Sequence, residues 1–168
     1  MRIYFFAVFI FCIFMLGAAL FLQLVMGLQP CPLCVLQRMI LSVIAVLALL
    51  ATILTTRDGW LPRLWSLLLF LGGAASLGVS IYQVWLVSQP KEAAASCGPG
   101  LEVAIDKAVA YLPQGEWTEL LYRSTASCTD GLSKFFGIEV AVLTLPVFIV
   151  LALFLLWLLF KRYDEYYY

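Results

Sequence analysis

The chain has 168 residues, 64% of them hydrophobic and 12% charged, with a mean hydropathy of +1.03; soluble domains run at roughly 45–50% apolar and 25% charged, so this is a membrane protein. Ten basic residues balance ten acidic ones without a basic run, which excludes the electrostatic footprint of nucleic-acid binding. There is no histidine, so the commonest haem, zinc and copper ligand and the usual neutral-pH proton shuttle are missing, and no metal site is expected.

A bilayer core about 30 Å thick takes about 20 residues of apolar helix. Four such runs, 3–28, 33–56, 64–87 and 140–160, predict an all-α four-helix membrane bundle forming a single integral membrane domain over 1–168. None alternates apolar and polar residues as barrel strands do. The first run is too long for a signal peptide, and no small-x-small cleavage site precedes Cys31. Cys12 falls mid-span, where a thiol behaves as a small hydrophobe.

Between the first two spans stands Gln29-Pro-Cys-Pro-Leu-Cys-Val-Leu-Gln-Arg38. Pro32 disfavours helical geometry at Cys31 and suits the first helical position, so Cys31 is expected to cap the second helix, near the positive end of its dipole. An ordinary cysteine, with a pKa near 8.5, is only about 3% thiolate at pH 7, and a drop of one unit brings roughly a quarter into that form. A helix start is therefore a suitable place for a redox thiol. Cys34 lies one turn further in, and Arg38 four residues beyond it shares its helix face. At 1.5 Å per residue Arg38 is only about 7 Å below Leu33, so it is able to snorkel to the interface as an anchor. It is equally placed to hold an anionic thiolate or a reduced electron acceptor.

In the third span Gly72, Ser76 and Ser80 form a small-residue face that permits close helix approach. Gln83, with Trp85 nearby, lies late in that helix at a similar outer depth. It reads either as a helix-end polar residue or as a hydrogen-bond partner for an acceptor oxygen. The long loop 88–139 follows. There Leu101, Ile105, Ala108 and Leu112 make one helical stripe, with Glu102 and Asp106 on another face, which predicts a short amphipathic helix at the interface. Trp117, Leu120 and Leu121 are further anchors. Pro90, Gly98-Pro99-Gly100, Pro113 and Gly115 break the rest. After the fourth span, KRYDEYYY reads as a solvated tail with no chemistry.

Arg2, Arg57, Arg63, Lys161 and Arg162 fall at ends that an even number of crossings puts on one side, and the positive-inside rule makes that side cytoplasmic. Both termini are then cytoplasmic. Cys31, Cys34 and the loop carrying Cys97 and Cys128 lie on the opposite, disulfide-permissive side. Cys-x-x-Cys could be half of a zinc site completed by the loop cysteines, but these stand 31 residues apart rather than as a second close pair. A structural disulfide closing that loop is more credible, contributing roughly 3–4 kcal/mol in the chain-entropy model. The alternative is a relay in which Cys97 and Cys128 pass electrons to Cys31 and Cys34 by thiol exchange. No haem attachment motif, iron–sulfur run or dinucleotide loop supplies a terminal acceptor. By elimination, a lipid-dissolved quinone fits.

The four spans, Cys31-Pro-Leu-Cys34 followed by Arg38, and Cys97 and Cys128 in one loop between the third and fourth spans together resemble the bacterial disulfide-bond formation protein B (DsbB) family of inner-membrane thiol:quinone oxidoreductases. The resemblance covers nearly the whole chain. It implies that Cys97 and Cys128 form the disulfide that oxidises a periplasmic DsbA-like thioredoxin-fold partner, with Cys97 making the mixed disulfide. Electrons then pass to Cys31 and Cys34. The resemblance also implies that Cys34 faces ubiquinone or menaquinone, forming a thiolate charge-transfer or covalent adduct assisted by Arg38; a monomer is expected. Gln83 falls near where some members have histidine in the quinone pocket. Ser127 stands where an acid is common and Ser133 where an aromatic is frequent. A vitamin K epoxide reductase-like protein also combines four helices, paired cysteines and a quinone, but there the loop cysteines precede the Cys-x-x-Cys pair. From another class, a non-enzymatic membrane scaffold with a stapled loop would tolerate loss of Cys31 and Cys34.

Overall fold

The structure, a computed structural model, describes residues 2–27, 30–55, 61–88, 103, 107, 110, 115–122, 134–135 and 138–167. Helices α1 (Arg2–Met26), α2 (Pro32–Leu54) and α3 (Leu61–Val87) are followed by the short α4 (Glu116–Tyr122). A hairpin of two-residue strands comes next, β1 (Lys134–Phe135) antiparallel to β2 (Ile138–Glu139), and then α5 (Val140–Tyr167). The helices α1, α2, α3 and α5 are each long and apolar enough to cross a membrane. The protein is a four-helix membrane bundle.

The observed bounds lie within three residues of the expected spans, with one exception. The helix α5 runs through 161–167, which had read as a solvated tail; this stretch has no glycine or proline to stop it, so the helical ladder simply continues. At the other extreme α1 ends at Gly27, whose φ of 65° is the left-handed turn that terminates helices and suits glycine.

The helix α2 is the most enclosed span, packed against α1 on one side and α3 on the other, while α3 also packs against α5. Val8 and Cys12 of α1, Ile44 and Ala48 of α2, Leu69 of α3 and Leu155 of α5 belong to one core cluster. In lipid, close packing rather than hydrophobic exclusion holds helices together, and α3 achieves it through two adjacent glycines. A Cβ on Gly72 would come 2.9 Å from Ile44 Cγ1, and one on Gly73 would come 2.7 Å from Leu155 Cδ1. The expected small face is buried: Ser76 and Ser80 are enclosed, with their hydroxyls turned back onto Gly72 O and Ser76 O at 3.1 and 3.0 Å.

Arg2 donates twice to Thr55 O, at 3.0 and 2.9 Å, which sets the start of α1 beside the end of α2. The Tyr4 ring meets that of Trp157 edge-on at 5.8 Å, bringing the latter part of α5 to the same end. The start of α2 and the end of α3 meet at the opposite end, where the reactive sulfurs lie.

Candidate functional site

Cys31 takes the position the proline motif demands. It is the N-cap of α2, with extended φ −81° and ψ 164°, and Pro32 opens the helix. Its sulfur accepts the backbone N–H of Cys34 at 3.4 Å, doing the work that a serine or aspartate oxygen does at other helix starts. Cap and third helical residue lie within one turn, so their side chains face each other. The two sulfurs stand 2.9 Å apart in hydrogen-bond contact, further than the roughly 2.0 Å of a disulfide. Cys31 is buried with Leu33 and Leu86, and Cys34 and Val79 pack against that cluster.

Gln83, on α3, reaches this pair from across the helix interface. Its Nε2 donates to Cys34 Sγ at 3.2 Å and to Cys31 Sγ at 3.5 Å. The residue is 4% exposed, and its buried Oε1 has no hydrogen-bond partner among the described residues. One turn deeper, Gln37 Nε2 donates to Ser80 Oγ at 2.9 Å, a buried bond that ties α2 to α3 immediately below the sulfurs. Trp85, expected beside Gln83, instead stacks on Tyr82 and faces outward.

Arg38 is also buried, at 7% exposed, and does not snorkel. Its Nη1 donates to Gln23 Oε1 at 2.6 Å and to Leu121 O at 3.2 Å, and its Nη2 to Ala19 O at 3.3 Å. These acceptors lie on α1 and α4, all of them neutral. The guanidinium thus fastens α1 and the loop helix α4 to α2. Cys34 and Arg38 share a helix, but their hydrogen bonds reach different neighbours, α3 for the thiol and α1 with α4 for the cation.

Cys97 and Cys128 lie outside the described residues. Of the stretch expected as an interfacial helix, only Val103, Lys107 and Ala110 are described, each helical and exposed. Among the described residues, the loop helix packed on the bundle is α4, over residues that the sequence offered as separate anchors. Gln23, Gln37, Ser42 and Tyr122 escaped the reading of the sequence, and Ser80 was read only as a small residue. Gln23 and Gln37 carried a usable signal, because an amide inside an apolar span seeks a partner.

The family model described as disulfide bond formation protein DsbB matches residues 1–158. The disulfide bond formation protein B of Nitrosococcus oceani is 33% identical over 153 residues, covering 91% of this chain and 88% of that protein. The protein of the same name from Marinobacter nauticus is 33% identical over 157 residues, with 94% and 90% covered, and that from Azoarcus sp. is 34% identical over 158 residues, with 94% and 92% covered. No solved structure matches the chain.

Proposed function

This chain belongs to the disulfide bond formation protein B family of membrane oxidoreductases, and on that premise we propose that it reoxidises a DsbA-like thioredoxin-fold dithiol protein and delivers the electrons to a membrane quinone. Cys97 and Cys128 form the disulfide that the partner reduces. Thiol exchange returns that pair to the oxidised state at the expense of Cys31 and Cys34. These two then lose two electrons and two protons as a bond forms between their sulfurs. A quinone, when bound, takes up both electrons and both protons.

The observation that carries this reading is a pair of sulfurs 2.9 Å apart at the start of an apolar helix, Cys31 buried and Cys34 partly so, where an oil-soluble oxidant reaches it more readily than a charged one. Two features fit an oxygen-bearing acceptor. The buried Oε1 of Gln83 has no partner among the described residues and is available to a hydroxyl of the reduced form, and Arg38 holds a positive charge among neutral acceptors one turn below Cys34. Arg38 would steady negative charge as the acceptor is reduced, by field as much as by contact, since charge is poorly screened in this medium.

The basic residues at one set of helix ends support an inner-membrane protein with both termini cytoplasmic and the four redox cysteines periplasmic, in one integral domain. The test is quinone-dependent oxidation of a reduced thioredoxin-fold partner by the purified chain. Wild type should turn over, while Cys34→Ser and Cys97→Ser should each abolish turnover. Full activity in either variant would reject the relay, and no activity with any quinone would favour a scaffold.

A further inference from the structure

The amide nitrogen of Gln83 faces both reactive sulfurs, lying 3.2 Å from Cys34 Sγ and 3.5 Å from Cys31 Sγ as their hydrogen-bond donor. Arg38 meanwhile directs three hydrogen bonds to Gln23, Leu121 and Ala19. Among the described residues, a direct donor to both reactive sulfurs from outside the Cys-x-x-Cys turn is thus a neutral side chain on the neighbouring helix.

We infer that Gln83 is a catalytic residue of the thiol chemistry itself: its amide holds whichever of Cys31 and Cys34 carries the negative charge, so that charge passes between the sulfurs without losing its hydrogen bond. A thiolate only accepts, and it accepts most strongly where water is excluded. At 4% exposure Gln83 works in such a place. The bond from Gln37 to Ser80, one turn below, fixes the α2–α3 register that keeps the amide between the sulfurs. Unlike a histidine, an amide does not titrate between pH 5 and 8, so this support is constant across that range. The inference deepens the proposed function but concerns the thiols alone and needs no quinone.

The test is the alkylation rate of Cys34 by iodoacetamide in the fully reduced, full-length chain in lipid nanodiscs without quinone, read peptide by peptide, with buried Cys12 as internal reference. In wild type Cys34 should react much faster than Cys12. Gln83→Leu should slow Cys34 about tenfold at pH 7, the worth of one charge-assisted bond, and Gln83→Glu, which faces the sulfur with an acceptor, at least as much. Gln83→His restores a donor and should recover the rate with a new pH dependence between pH 5 and 8. Each variant is compared at an unchanged thermal midpoint, and Gln83→Asn, with the amide drawn back by one methylene, should fall between wild type and Gln83→Leu. A wild-type Cys34 no faster than Cys12, or a rate unchanged by Gln83→Leu and Gln83→Glu, overturns the inference. The alkylation effect without quinone reduction would retain it while rejecting the proposed acceptor, and quinone reduction with no alkylation effect would do the reverse.

Discussion

The Tyr122 hydroxyl lies 2.7 Å from that of Ser42, and Ser42 already donates its single hydrogen to Arg38 O at 2.9 Å, so the tyrosine is the donor. Ser42 is ten residues into α2 from Pro32, about 15 Å along the helix at 1.5 Å per residue. The short α4 is thus pinned well below the start of α2, with Leu121 O on the Arg38 guanidinium beside it. Tyr122→Phe keeps the ring and removes this one bond, costing about 1 kcal/mol of docking. Amide hydrogen exchange across 116–122 should quicken roughly fivefold; unchanged protection would mean that the hydroxyl pair does not hold α4.

Gln23 supplies the shortest acceptor to Arg38. Gln23→Leu removes it and leaves a buried cation short of one partner, a loss of about 1.5–3 kcal/mol for a hydrogen bond to a charged group. Unfolding in mixed micelles should register that drop. Arg38→Lys should also weaken the fold, because an ammonium lacks the planar fork that serves α1 and α4 together. Wild-type stability in both variants would show that the cation is not bridging.

Gly73 faces Leu155 closely enough that an added methyl must displace a leucine δ-carbon 2.7 Å away. Gly73→Ala should cost about 1–3 kcal/mol as overpacking, and Leu155→Val in the same chain should recover part of it. A neutral Gly73→Ala would show that α3 and α5 have slack at their contact.

Cys12 is fully buried in the core among α1, α2, α3 and α5, far along α1 from the helix end that meets the reactive pair. Cys12→Ala should leave thiol oxidation within twofold of wild type and cost stability of about 1 kcal/mol. A large loss of turnover at unchanged stability would give this thiol a redox role.

The four spans, the cap at Cys31 and the small-residue face of Gly72, Ser76 and Ser80 were legible in the sequence because each depends on local signals: run length, a proline after the cap, and small residues one turn apart. The amide of Gln83 was found as a candidate, but its aim at the sulfurs was not, since that depends on the register between α2 and α3. Arg38 was read as free to snorkel because depth along one helix says nothing of what lies over it. The covering element is α4, a seven-residue helix too short to announce itself by periodicity. Gln23 was overlooked for the converse reason, a single amide in a long apolar run whose partner sits on another helix.

The most direct measurement is an anaerobic single turnover of the fully reduced chain with a water-soluble short-chain quinone, counting quinol formed and thiols lost at each cysteine. One quinol should appear for every two thiols, and the first disulfide to appear should join Cys31 to Cys34. Quinol formation that persists in Cys34→Ser, or a first disulfide that leaves both of these sulfurs reduced, would contradict the assignment of this pair as the exit for electrons.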